Sequence, residues 1–98
     1  MKNEYEDRDN WIGYDYKKLV MDLEHGREIE FSYKNGHYAI NNWQEGWQYG
    51  ANTPEKKEGS DYYKDVHDLL KVIKIEGKTL EQLFEENELT KDNITDIG

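Results

Sequence analysis

Residues 26–40 read GREIEFSYKNGHYAI, and the alternation within this stretch decides the fold. Ile29, Phe31 and Tyr33 alternate with Glu28, Glu30 and Ser32, while Tyr38 and Ile40 alternate with His37, Ala39 and Asn41, the period-two pattern of half-buried strands. Between the two runs stands Asn35-Gly36, the dipeptide suited to a two-residue type I′ turn, in which both central residues need positive φ. With Lys34 facing His37, that turn sets Tyr33 opposite Tyr38 and Phe31 opposite Ile40, so every apolar side chain of the hairpin falls on one face.

Working outward, Tyr16, Leu19, Val20 and Leu23 fall at i, i+3, i+4 and i+7, an amphipathic helix with Asp22 off its stripe and Gly26 as its stop. Downstream, a turn at Trp43-Gln44-Glu45-Gly46 leads into a third strand over residues 47–51, with Trp47 and Tyr49 on the same side. Residues 50–60, GANTPEKKEGS, carry the chain's single proline and read as an exposed loop. Ser60 or Asp61 then caps a second helix with Tyr62, Val66, Leu69, Leu70 and Ile73 inward. Gly77 interrupts it, and Thr79 with Gln82 forms a capping box that opens a third helix burying Leu80, Leu83 and Phe84. The expected architecture is α+β: a helix, a three-stranded antiparallel sheet, then two helices packed on one sheet face. Residues 1–98 make a single small domain, with residues 1–13 expected as a flexible acidic arm and residues 88–98 as a frayed tail. The other sheet face, with Glu28, Glu30, Ser32, His37, Ala39, Asn41 and Gln48, is left open to water.

Composition narrows the chemistry. Twenty-two acidic residues against thirteen Lys and Arg give a formal charge of -9, which disfavours direct binding to nucleic acid or anionic membranes and favours basic protein surfaces. No cysteine is present, so disulfides, thiolate nucleophiles and cysteine-based zinc sites are excluded. The first residues, MKNEYEDRDNWIG, do not resemble a signal peptide, and no apolar run approaches the roughly 20 residues of a membrane span, so the expected location is cytoplasmic. His25, His37 and His67 have no metal-ligand spacing, and no EF-hand loop occurs, so neither metal nor cofactor is expected. Ser32 and Ser60 lie outside any G-x-S-x-G context, and the glycine spacing makes no phosphate cradle. A non-enzymatic binding protein is the class that remains.

Its candidate partner-binding residues follow from the acids. If the third helix continues, Glu81, Glu85 and Glu88 stand at i, i+4 and i+7, about 4.5 to 6 Å apart along the axis, a row that matches the charge density of a phosphate backbone. Like charges at this spacing cost roughly 0.2 to 0.5 kcal/mol per pair, against about 1.5 to 3 kcal/mol for each of Leu80, Leu83 and Phe84 buried behind them. Residues 78–98 hold six acids against Lys78 and Lys91, and Glu4, Glu6, Asp7 and Asp9 form a second cluster. Glu28 and Glu30 of the open sheet face extend the acidic surface, with Trp43 and Trp47 as aromatic anchors. Clustered acids also serve simply to keep a small protein soluble. Two further readings stay open: a small-ligand or nucleotide-binding module using the aromatic hairpin and residues 43–49, and self-association into a homodimer through an uncovered strand edge.

Residues 26–40, with Gly46-Trp47, Asp68-Leu69-Leu70 and Ile75-Glu76-Gly77-Lys78-Thr79-Leu80, resemble a set of small uncharacterised proteins of Gram-positive bacteria and their phages, over residues 15–86. Those proteins have no established enzymatic activity, and small acidic phage proteins of this kind are a recurring source of inhibitors of bacterial defence, anti-CRISPR proteins included. Together with the acidic charge, this makes a basic nucleic-acid-binding effector the expected partner. The loop at residues 50–60 and the acidic arm depart from the compact pattern of that set.

Overall fold

The computed structural model describes residues 14–98, so the acidic arm expected over residues 1–13 lies outside the described residues. In chain order the elements are α1 (Tyr16–Glu24), β1 (Ile29–Tyr33), β2 (Gly36–Trp43), β3 (Gly46–Asn52), β4 (Lys57–Gly59), α2 (Val66–Val72), α3 (Leu80–Glu85), a 3-10 turn (Lys91–Asn93) and β5 (Ile94–Ile97). The strands form one antiparallel sheet in the order β4-β3-β2-β1-β5. The fold is therefore α+β, with five strands where three were expected.

The founding hairpin keeps its apolar face but shifts its register. Tyr33 pairs with Gly36, Phe31 with Tyr38 and Ile29 with Ile40, so the two-residue turn is Lys34-Asn35 rather than Asn35-Gly36. Lys34 takes the positive φ, at 54°, while Gly36 is an extended strand residue. The reason lies above Gly36: a Cβ there would stand 2.7 Å from the Tyr38 hydroxyl oxygen, so the Tyr38 ring occupies the space that any other residue's side chain needs. Because the register moves by two residues in total, side-chain parity is conserved and the same residues stay inward. A turn with consecutive positive φ values does occur, at Glu76 (53°) and Gly77 (80°), where Ile75 and Lys78 exchange both backbone hydrogen bonds.

Both additional strands lie where little apolar periodicity exists. Residues 57–59 pair with β3, Gly50 opposite Gly59 and Asn52 opposite Lys57, so the expected loop is a second hairpin. Ser60 continues the cover: its N–H donates to the Tyr49 carbonyl, and its hydroxyl oxygen accepts from the Tyr49 N–H at 2.9 Å. Tyr63 then exchanges two backbone bonds with Trp47, and the whole free edge of β3 is satisfied. This use of residues 60–63 explains why α2 starts late, at Val66 with Asp65 as its cap, and why Ser60 and Asp61 cap no helix and Tyr62 is left exposed.

The tail is ordered too. Thr90 and Asn93 form a reciprocal capping box around the 3-10 turn, the Asn93 amide donates to the Ser32 carbonyl at 2.9 Å, and β5 pairs along β1. Ile94 and Leu89 are fully buried, which contributes about 1.5 to 3 kcal/mol each and holds the segment down.

All three helices contribute to a single core against one sheet face: Leu19 and Leu23 from α1, Leu69 and Leu70 from α2, Leu80 and Leu83 from α3. The capping box of Thr79 with Gln82 forms as the sequence indicates. At the end of α1, Gly26 (φ 84°) closes a Schellman motif, with its N–H on Leu23 and that of Arg27 on Asp22. Asp22 reverses its expected placement: it is completely buried, its Oδ2 accepting from the Tyr14 hydroxyl at 3.0 Å.

Candidate functional site

The carboxylate row on α3 is interrupted. Asn87, at φ 60°, ends the helix in a second Schellman motif: its own N–H bonds the Phe84 carbonyl, and the Glu88 N–H bonds Leu83 at 2.8 Å. Glu88 therefore lies beyond the helix, where its carboxylate accepts the Tyr33 hydroxyl at 3.0 Å and stands 3.7 Å from Lys78. Glu86 takes the same lysine as its hydrogen-bond partner. This Lys78 bridge neutralises the far end of the expected stripe and leaves Glu81 and Glu85 as its exposed members, neither with an ion-pair partner among the described residues.

Those two carboxylates border an aromatic hollow of about 250 Å³ together with Asp15, Tyr16, Lys17 and Phe84. The Tyr16 and Phe84 rings meet at 6.3 Å with their planes tilted by 52°. Burial, and then the charge of Glu81, push the Tyr16 phenol above its ordinary value. Asp15 has a structural duty as well, capping α1 by accepting the Lys18 N–H at 3.0 Å. The hollow is an acidic rim around partly covered aromatic rings, an arrangement that attracts cations by Coulomb and cation–π forces together.

The remaining expected residues are dispersed. Glu28 accepts the Asn42 backbone N–H at 2.8 Å and so completes β2 beyond the end of β1. Glu30 lies on the open sheet face, 3.3 Å from the His37 ring, opposite Asp96 of β5. Trp43 is on that same face and 49% exposed, whereas Trp47 points into the core at 9%. The two tryptophans sit on opposite sides of the sheet and form no common anchor. His67 reaches Glu24 at 2.9 Å across the α1–α2 contact, and no group of three or more His, Asp or Glu able to hold a metal ion occurs among the described residues.

A larger feature went unrecognised in the sequence. A groove of about 420 Å³ opens over the end of the sheet lined by no helix residue; its floor is Tyr33, Tyr38, Tyr49 and Ala51, and its walls are residues 53–56 and 74–76. Phe31, Tyr38 and Tyr49 form a ladder of near-parallel rings across three strands, with centroids 5.2 and 6.2 Å apart. Lys34 spans one end, 2.7 Å from Glu76 and 5.4 Å from the Tyr33 ring centroid. Lys56 pairs with Glu58 at 3.3 Å. Burial pushes the Tyr38 and Tyr49 phenols above their ordinary value. The alternation of Phe31, Tyr38 and Tyr49 was legible as a buried face; the groove was not, because one wall comes from a hairpin with no apolar signal and the other from the connection between α2 and α3.

No family model matches this chain, and neither a curated protein nor a solved structure shows significant similarity to it. Among the described residues, no helix is long and apolar enough to cross a membrane.

Proposed function

We propose that this chain is a non-enzymatic binding protein that docks an acidic, aromatic flank onto a basic protein surface. In its most specific form it is a phage or mobile-element inhibitor, anti-CRISPR-like, occupying the nucleic-acid-binding groove of a bacterial defence effector. The observation that carries the reading is the flank of Asp15, Glu81 and Glu85 around the Tyr16 and Phe84 rings, where Glu81 and Glu85 have no partner within the described chain. Unpaired carboxylates retain their full attraction for Lys and Arg, whereas Glu86 and Glu88 are already engaged by Lys78. Phosphate mimicry on this surface thus rests on fewer charges than a continuous row supplies.

The test is capture of the partner from a bacterial lysate by the immobilised full chain, at low and at high salt, with competition by nucleic acid. A basic nucleic-acid-binding protein, released by salt and by the competing nucleic acid, is the expected catch. The double variant Glu81→Gln/Glu85→Gln is expected to lose affinity about tenfold or more, and Glu88→Gln to lose much less. Equal capture by the double variant and the parent rules out the flank as the docking surface.

A further inference from the structure

The groove beside the hairpin tip is chemically unlike the rest of the molecule. In a chain of net charge -9, its six charged side chains are balanced: Lys34, Lys56 and Lys74 against Glu55, Glu58 and Glu76. Four of them are consumed in two pairs, Lys34 with Glu76 and Lys56 with Glu58. That leaves one cation and one anion of the lining without an ion-pair partner among the described residues: Lys74 on the α2–α3 connection and Glu55 on the β3–β4 loop. On the floor of the same groove, the Tyr38 and Tyr49 hydroxyls make no hydrogen bond to any described residue. Neither hydroxyl is sealed from solvent without a partner, since the one such buried side-chain atom among the described residues is Oδ1 of Asp22. On its β4 side Tyr49 faces Ser60, and Glu58, opposite Ala51 and already paired with Lys56, stands on the same sheet face, so no aromatic side chain of that strand adds to the ladder.

We propose that this groove binds a zwitterion bearing an aromatic ring, either an aromatic amino acid or a short peptide with free ends. Its carboxylate meets Lys74, its ammonium meets Glu55, its ring lies on the tyrosine floor, and the two phenols bond its polar atoms. With the other four charges paired, the two left over have opposite sign, so a ligand carrying both charges matches the lining better than an anion or a cation alone. Ligand clefts span about 300–1,000 Å³, and this groove of about 420 Å³ falls inside that range. The groove shares no lining residue with the hollow of Asp15, Glu81 and Glu85, while Lys74 also borders a second hollow beside Tyr16 and Glu81; the inference does not rest on the docking proposal.

The experiment is an amide chemical-shift titration of the full chain with L-tryptophan and with phenylalanyl-alanine, each also as its N-acetyl and its C-terminal amide derivative. Saturable shifts confined to residues 33–38, 49–58 and 74–76 are expected, and the tighter of the two parent probes identifies the source. Acetylation or amidation is expected to weaken binding about tenfold, as are Glu55→Gln and Lys74→Met, both exposed and harmless to folding. Lys74→Met should also make the protein indifferent to amidation of the probe, which separates a direct contact from a general charge effect. No saturable shift up to about 10 mM of either probe, or binding undiminished in both the N-acetyl and the amide derivatives, overturns the proposal.

Discussion

At the scale of single residues, Asp22 is the sharpest departure from polar patterning. A helix position that periodicity assigns to solvent is fully buried, and its Oδ1 has no hydrogen-bond partner among the described residues, so within them the Tyr14 hydroxyl is the donor on which the carboxylate depends. A buried acceptor stripped of its donor costs about 1–3 kcal/mol, and Tyr14→Phe is expected to lower the urea midpoint accordingly. An unchanged midpoint would mean that the bond contributes nothing. The ladder tyrosines set a second expectation, at alkaline pH. Their folded pKa values lie above the ordinary value of 10.0, so above pH 10 the unfolded chain releases phenolic protons first and gains stability relative to the fold. The contribution is fully present below pH 10 and declines as pH rises toward the folded values. Tyr49→Phe should flatten this decline when unfolding free energy is measured across pH 9 to 11; an identical slope in parent and variant would show that Tyr49 ionises alike in both states.

Among the elements, what the sequence made legible was what apolar spacing encodes. The inward faces of β1, β2 and β3, the α1 stripe and the Thr79 capping box all emerge from periods of two or 3.6 and from one cap signature. Register escaped because a tyrosine ring two residues away, not the turn dipeptide, decides what fits over Gly36. Lys57-Glu58-Gly59 is a strand paired through its backbone with every residue exposed, and no apolar pattern announces it. The carboxylate row failed for a related reason: i, i+4, i+7 spacing says nothing about Asn87, whose tolerance of positive φ turns the chain before Glu88. In β5 one residue carries the burial. Ile94→Ala is expected to cost about 2–5 kcal/mol, and proteolysis of the variant should begin within the tail; a loss below about 0.5 kcal/mol by chemical denaturation would return residues 88–98 to a frayed end.

On the scale of the whole molecule, the full chain carries a charge of -9, and its described residues extend over only 38 × 30 × 21 Å. At about 10 mM salt the screening length is roughly 30 Å and every carboxylate repels every other; at about 150 mM it is roughly 8 Å and only neighbours interact. The melting temperature is therefore expected to rise by a few degrees, about 2–6 °C, over that interval, and a fall would mean that attractive pairs such as Lys34–Glu76 and Lys78–Glu86 outweigh the net repulsion. The placement of β5 carries a consequence for how the chain is made. The meander from β1 to β4 closes locally, but Asn93 meets Ser32 across 61 positions of sequence. At translation rates of about 5–20 residues per second, the outer edge of β1 waits about 3–12 s on the ribosome before its partner strand exists. During that interval a nascent chain presents an unpaired strand flanked by Glu30, whose charge discourages edge-to-edge association with another nascent copy until β5 closes the sheet.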